Sequence, residues 1–190
     1  MQIVELVINE DSEGVSAVSV VDKPAIEENF IALSKHEVEL KEINPEKRIL
    51  MGAALVPNKQ IYRKVKDKEF YIFFSEDTVR KASELFLKNG NQSNATEQHE
   101  KQIKGMTVVE TWLVENPKND KSNHYGFDVP QGTWMLSVKV DNDDVWSKVK
   151  SGELKGFSIE GHFADKVEMS IQHDPNEELI NKIKDLLKNV

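Results

Sequence analysis

The chain contains no cysteine among its 190 residues. Disulfide bonds, thiolate metal ligands and a cysteine nucleophile are therefore excluded, and any covalent catalysis must use an oxygen or nitrogen nucleophile. No apolar run approaches the ~20 residues needed to span a bilayer, and residues 1–10 lack the basic region and apolar core of a secretory signal. We therefore expect a protein that stays in the cytoplasm and has no membrane partner.

An excess of positive charge is also missing, since 33 acidic residues against 25 basic ones give a net charge of −8. No stretch gathers enough Lys and Arg to bind a phosphate backbone, so we expect no nucleic-acid partner. The sequence has no Walker loop, dinucleotide fingerprint or Gly-x-Ser-x-Gly elbow. His99, Glu100, His124 and His162 do not have the spacing of a recognised metal site, and we expect neither a metal nor another cofactor.

Strand signals dominate the chain, and its length suits one hydrophobic core. Runs rich in Val, Ile and aromatic residues predict strands at 2–9, 14–21, 48–56, 60–65, 69–74, 106–115, 133–140 and 156–163. Helices are predicted between Ser75 and Gly90, at 143–150 and in the tail from Asp174. We expect an α+β fold whose mainly antiparallel strands close into a β-barrel with peripheral helices. Residues 1–165 would form the domain, and 166–190 an extension carrying the amphipathic helix.

Ser158 is the candidate nucleophile. It lies in a predicted strand between Phe157 and Ile159, and the flanking Gly156 and Gly161 would let a substrate backbone approach closely. In a regular strand Ser158 shares one face with Glu160 and His162. A structural serine in a strand has the same local appearance, so this segment alone does not establish catalysis.

The general base must come from elsewhere, because four residues along a strand place His162 roughly 13 Å from Ser158. The residues alone leave His36, His99, His124 and His173 open as candidates.

Glu110 is the candidate for the acid that orients the base. A regular strand would place it on the same face as Met106, Val108 and Trp112, where an unpaired carboxylate is costly. It could hold an imidazole, or it could protect the edge of a sheet from aggregation. Glu160 is the second choice.

Two segments resemble the catalytic motifs of phage prohead serine proteases. The segment from Lys150 to Gly161, with Gly-Phe-Ser-Ile at its centre, looks like the nucleophile motif, and Ser158 matches its serine. Thr96-Glu-Gln-His-Glu100, followed by Gly105, resembles the histidine motif, and His99 matches its base. The resemblance thus implies a Ser158–His99 pair, with residues 1–165 as the protease domain.

A third segment, from Gly14 to Ala25, is similar to the opening of the XkdF-like branch of this family. The larger family tends to carry an acid just before the Val-Ser part of this segment, but this chain has Ala17 there. The third member of the triad therefore remains open, with Glu110 preferred to Glu160.

The resemblance implies a barrel like that of the herpesvirus assemblin proteases. It also implies cleavage of the phage scaffold protein and major capsid protein inside the assembling prohead, in the host cytoplasm, by an enzyme that could be a homo-oligomer. The alternative is a non-catalytic, protease-like protein that binds capsid or scaffold. Ala17 and the apolar face of the C-terminal helix motivate this second hypothesis.

Overall fold

A computed structural model describes residues 2–22, 31–32, 47–65 and 68–166 of the chain. The strands in these ranges are β1 (Gln2–Val7), β2 (Gly14–Val21), β3 (Ile31–Ala32), β4 (Ile49–Leu55), β5 (Ile61–Val65), β6 (Lys68–Phe74), β7 (Ala95–Glu97), β8 (Lys101–Ile103), β9 (Met106–Leu113), β10 (Trp134–Val140), β11 (Gly156–His162) and β12 (Ala164–Asp165). The helices are α1 (Glu76–Lys88), α2 (Lys121–His124) and α3 (Asp143–Ser151). The helix predicted from Asp174, together with His36 and His173, lies outside the described residues.

The eight predicted strands and the first two predicted helices are confirmed to within two residues at each end, and β2 begins and ends where its apolar pattern places it. The short strands β7 and β8 were not predicted, because Ala-Thr-Glu and Lys-Gln-Ile have no apolar alternation. None of the helices in the described ranges has the length and apolar character needed to cross a bilayer.

The described strands form three four-stranded sheets, which we name sheet A (β12-β1-β6-β5), sheet B (β11-β2-β7-β8) and sheet C (β3-β4-β10-β9). Most neighbouring strands are antiparallel, but β1 runs parallel to β6 and β2 runs parallel to β7. The α+β class is confirmed.

The predicted barrel is wrong. Each of the three sheets in the described part of the chain is open and ends in a strand with a single neighbour. A barrel requires every strand to be paired on both sides, and that closure depends on partners distant in sequence rather than on the strand pattern itself. The polar turn at residues 11–14 does not close a hairpin, because β1 and β2 enter different sheets.

One hydrophobic core joins the three sheets and α1. Strand β10 is central in sheet C, and its Trp134 is fully buried. Phe86 of α1 meets Trp134 edge to face, with ring centroids 5.5 Å apart. Phe157 of β11 is buried in the same core, so the strand that carries Ser158 is anchored on its inner face.

The β11–β2 pairing contains a bulge between Glu160 and Gly161. A Cβ at Gly161 would overlap the carbonyl oxygen of Gly14 on β2, so only glycine allows the two backbones to lie this close. The bulge and this contact fix the register of β11 on β2.

Gly161→Ala is therefore expected to destabilise the fold by about 1–3 kcal/mol, because the added methyl must push the two strands apart. His162→Ala, at the next and exposed position of the same strand, should change stability by less than about 0.5 kcal/mol. Urea denaturation of both variants provides the measurement. Equal unfolding midpoints for the two variants would contradict the close contact between β11 and β2.

Candidate active site

Ser158 lies directly opposite Ser19 in the antiparallel pairing of β11 with β2. Two residues further along β11, Glu160 lies opposite Ala17. Residues directly opposite in a sheet project to the same face, so these four side chains share one face of sheet B. The opposite face carries Phe157 and packs on the core. The structure thus brings the candidate serine and one carboxylate to the outer face of the sheet.

His99 lies in the turn that joins β7 to β8. This turn follows Glu97, which pairs with Val20 near the end of β2. The backbone N–H of Glu100 donates to the carbonyl of Glu97 at 3.1 Å, and the two residues between them, Gln98 and His99, have φ angles of 53° and 60°. These features define a type I′ turn. Glycine, asparagine and aspartate dominate such positions, so placing Gln and His there costs conformational energy.

Ser19 fastens this turn to β2. Its fully buried hydroxyl oxygen accepts a hydrogen bond from the backbone N–H of His99 at 3.1 Å and donates to the carbonyl of Thr96 at 3.4 Å. The backbone N–H of Gln98 also donates to the carbonyl of Val20 at 3.0 Å. The residue opposite Ser158 therefore also fixes the backbone of His99.

Glu160 reaches across β2 to the histidine. Its Oε1 lies 3.1 Å from Nδ1 of His99 and also accepts a hydrogen bond from the hydroxyl of Thr96 on β7. The reach is possible because the residue beneath the carboxylate, Ala17, has only a methyl group. A carboxylate at Nδ1 favours the tautomer with its proton on Nδ1 and its lone pair on Nε2. That tautomer can accept a proton from a serine hydroxyl.

No hydrogen bond joins Ser158 Oγ to His99 within the described residues. Strand β2 lies between β11 and the β7–β8 turn, so the two backbones are about 10 Å apart, which is two interstrand spacings of ~4.8 Å each. The imidazole is on the face of sheet B that Ser158 shares, because it contacts Glu160 there. The imidazole is 42% exposed and contacts Glu160 through Nδ1. Catalytic hydrogen bonds are often long in unliganded enzymes and tighten when substrate binds.

Glu110 lies elsewhere, on β9 in sheet C. Its carboxylate accepts hydrogen bonds from Lys121 and from the hydroxyl of Ser137, the latter at 2.9 Å. Burial raises the pKa of Glu110, but these two hydrogen bonds outweigh burial and hold the pKa below its ordinary value. The structure does not bring Glu110 to His99. The predicted apolar face is wrong because a bulge near Val109 shifts the register, which leaves Glu110 exposed.

The other described histidines lie away from Ser158. His124 ends α2 and packs its ring against Tyr125, with centroids 5.5 Å apart, and His162 is exposed beyond the bulge of β11. Sequence reasoning missed Ser19 and Thr96 as supports of the site. The only signal for Ser19 was that it is one of two serines in a strand that is otherwise rich in Val.

Behind Ser158 lies a cavity of about 200 Å³, bordered by Ser158 itself and by side chains of the core face, including Ile159 and Phe163. Among the residues that the structure describes, no group of three or more His, Asp or Glu side chains could hold a metal ion.

Comparison with known proteins supports a family assignment. The model of the family described as "Putative phage serine protease XkdF" matches residues 37–168. The uncharacterized protein YqbD of Bacillus subtilis (strain 168) is 28% identical over 181 residues, which cover 92% of this chain. The chain spans only about half, 52%, of the length of YqbD. No solved structure matches the chain significantly.

The left-handed backbone at Gln98 and His99 gives a test of the turn. Gln98→Gly and His99→Gly should each leave stability unchanged or raise it by up to about 1 kcal/mol, because glycine adopts positive φ without steric cost. Urea denaturation of both variants provides the measurement. A loss of more than about 1 kcal/mol in Gln98→Gly would show that the turn has another conformation.

Proposed function

Because the chain belongs to the family described as putative phage serine protease XkdF, we propose that it is a serine endopeptidase with Ser158 as nucleophile, His99 as general base and Glu160 as the residue that orients the base. The observation that carries the proposal is the contact of Glu160 Oε1 with Nδ1 of His99 on the face of sheet B that Ser158 shares. A carboxylate, an imidazole and a hydroxyl on one accessible face are the components of acyl-transfer hydrolysis.

The mechanism begins when Nε2 of His99 removes the proton from Ser158 Oγ, as this oxygen attacks the scissile carbonyl carbon. His99 then gives the proton to the leaving amine, and the acyl group stays on Ser158. A water molecule, deprotonated by the same Nε2, attacks the ester, and Ser158 regains its proton. Glu160 remains ionised throughout and stabilises the imidazolium that forms in each half-reaction.

Glu160 can supply the carboxylate that this chain lacks at Ala17. The larger prohead family tends to carry its acid at the position of Ala17, and Glu160 lies directly across the strand pair from Ala17. Cβ atoms of opposite residues are only ~5 Å apart, so either position can direct a carboxylate towards the β7–β8 turn. We take Glu160, rather than Glu110, as the third member of the triad.

The substrates in this proposal are the phage scaffold protein and the major capsid protein, cleaved within the assembling prohead in the host cytoplasm. The family's phage origin supports this role. The alternative, a protease-like protein that binds capsid or scaffold without cutting it, shares the fold but does not require the Glu160–His99 contact.

Ser158→Ala should lower scaffold cleavage by at least about a thousandfold without changing the unfolding midpoint, because only the attacking oxygen is lost. Ser12→Ala, in the exposed turn between β1 and β2, serves as the matched control and should retain cleavage. The measurement is co-expression with the cognate scaffold and capsid proteins, followed by mass analysis of the products. Processing by the Ser158→Ala protein would contradict the assignment.

Glu160→Gln should reduce kcat by about 10²–10⁴-fold, since the imidazole loses the charge that holds its tautomer. Glu110→Gln should reduce kcat less than about threefold, because Glu110 bonds Lys121 and Ser137 instead of His99.

The two opposite residues can also be exchanged, by combining Glu160→Ala with Ala17→Glu. This double variant should be at least about tenfold more active than Glu160→Ala alone. Steady-state peptide hydrolysis measures each variant. A larger loss in Glu110→Gln than in Glu160→Gln would reverse the assignment of the acid.

A further inference from the structure

The cavity behind Ser158 is lined by residues of β1, β4, β5, β6 and β11, and two of these strands end their sheets. Strand β11 ends sheet B and β5 ends sheet A in the described part of the fold, and both strands contribute side chains to the cavity. From β5 these are Ile61 and Arg63, and from β11 they include Ile159. Phe74 and Phe163 complete an apolar wall and meet edge to face, with centroids 4.9 Å apart.

The hydrogen bonds of β2 show which way the backbone N–H and C=O groups of β11 point. Val18 N donates to the carbonyl of Asn94, and Gln98 N donates to the carbonyl of Val20, so Val18 and Val20 direct their backbone groups towards β7. Backbone direction alternates along a strand, so the intervening Ser19 directs its groups towards Ser158 of β11. The N–H and C=O of the next residue of β11, Ile159, therefore point away from β2, along the edge that β2 does not cover.

We propose that an extended segment of the substrate polypeptide adds to this edge of β11 and places an apolar side chain in the cavity behind Ser158. The inference rests on the proposed protease function and specifies which substrates that site accepts. Main-chain hydrogen bonds to an exposed strand edge supply affinity in this mode of recognition, and pockets for alternate side chains supply specificity.

The register of such a substrate follows from strand geometry. A substrate residue opposite Ser158 occupies a non-hydrogen-bonded position, where Cα atoms approach to about 4.5 Å and side chains lie closest together. Its carbonyl is the one within reach of Ser158 Oγ, which makes it the residue before the scissile bond. Its two neighbours project to the opposite face, the face of Ile159, where the cavity lies.

The chemistry of the cavity selects the side chain. Its walls are almost entirely aliphatic and aromatic, so Leu, Ile, Met or Phe gains from burial there whereas Ser or Asp does not. Arg63 is the one charged lining residue, and its guanidinium donates to the carbonyl of Tyr62 at 3.1 Å. Burial holds the pKa of Arg63 below its ordinary value.

The first test uses the wild-type chain and a mixture of random-sequence decapeptides, with products identified by mass spectrometry. We expect at least about tenfold enrichment of Leu, Ile, Met or Phe over Ser and Asp at one of the two positions that flank the residue before the scissile bond. Enrichment of Asp or Glu at that position would overturn the inference and assign the cavity to recognition of an acid by Arg63. Cleavage without side-chain preference would overturn it as well.

The second test changes the size of the cavity. Ile159→Ala enlarges the cavity and should shift the preference for the bound substrate side chain severalfold from Leu towards Phe. Ala54→Val, on β4, narrows the cavity and should shift this preference from Phe towards Leu. Tyr62→Ala is the matched control, since Tyr62 is 45% exposed and lies on β5 between two lining residues without lining the cavity itself. Identical preferences in all three variants would overturn the inference.

A parallel reaction with a fluorophosphonate distinguishes failure of the inference from failure of the proposed function. If Ser158 is modified but peptide cleavage is unselective, the protease function stands. Only the inference that the apolar cavity selects the substrate side chain is then overturned. Absence of both modification and cleavage would overturn the protease function and the inference together.

Discussion

The register of β11 on β2 is the constraint on which the candidate site depends. It places Ser158 opposite Ser19 and Glu160 opposite Ala17. A shift by one residue would turn the side chains of both candidate residues into the core, because successive residues of a strand face opposite sides. Burial of Phe157 opposes such a shift, and so does the close backbone contact at Gly161. Core packing and a glycine bulge thus determine the chemistry available on the outer face.

Strand β2 links the two halves of the site. Ser19 holds the backbone of His99 through its hydroxyl, whereas Ala17 leaves space for the carboxylate of Glu160 to pass. A larger residue at either position would obstruct contact across the strand. The left-handed turn at Gln98 and His99 requires such support, since its backbone conformation is costly for residues other than glycine. Small side chains on β2 and a strained turn beside it are thus parts of one arrangement.

The sequence predicted local structure well because strand and helix patterns are local. Strand β2 and helix α1 lie where apolar periodicity places them. Sheet closure was predicted wrongly, because it depends on which distant strands pair. Within the site, the shared face of Ser158 and Glu160 follows from a two-residue period. The partner of His99 could not be predicted in the same way, because its turn contacts Glu160 from a position 61 residues away in the chain. Glu110 was misplaced by a bulge that has no clear sequence signal.

The pairing of Ser158 with His99 is tested most directly by a crystal structure of the chain after reaction with diisopropyl fluorophosphate. We expect a phosphoryl group on Ser158 Oγ, with Nε2 of His99 within about 3.2 Å of that oxygen or of a phosphoryl oxygen. We also expect Glu160 to remain bonded to Nδ1 of His99. A phosphoryl group on another hydroxyl, or an imidazole that stays out of reach of a modified Ser158, would contradict the proposed pairing of serine and histidine.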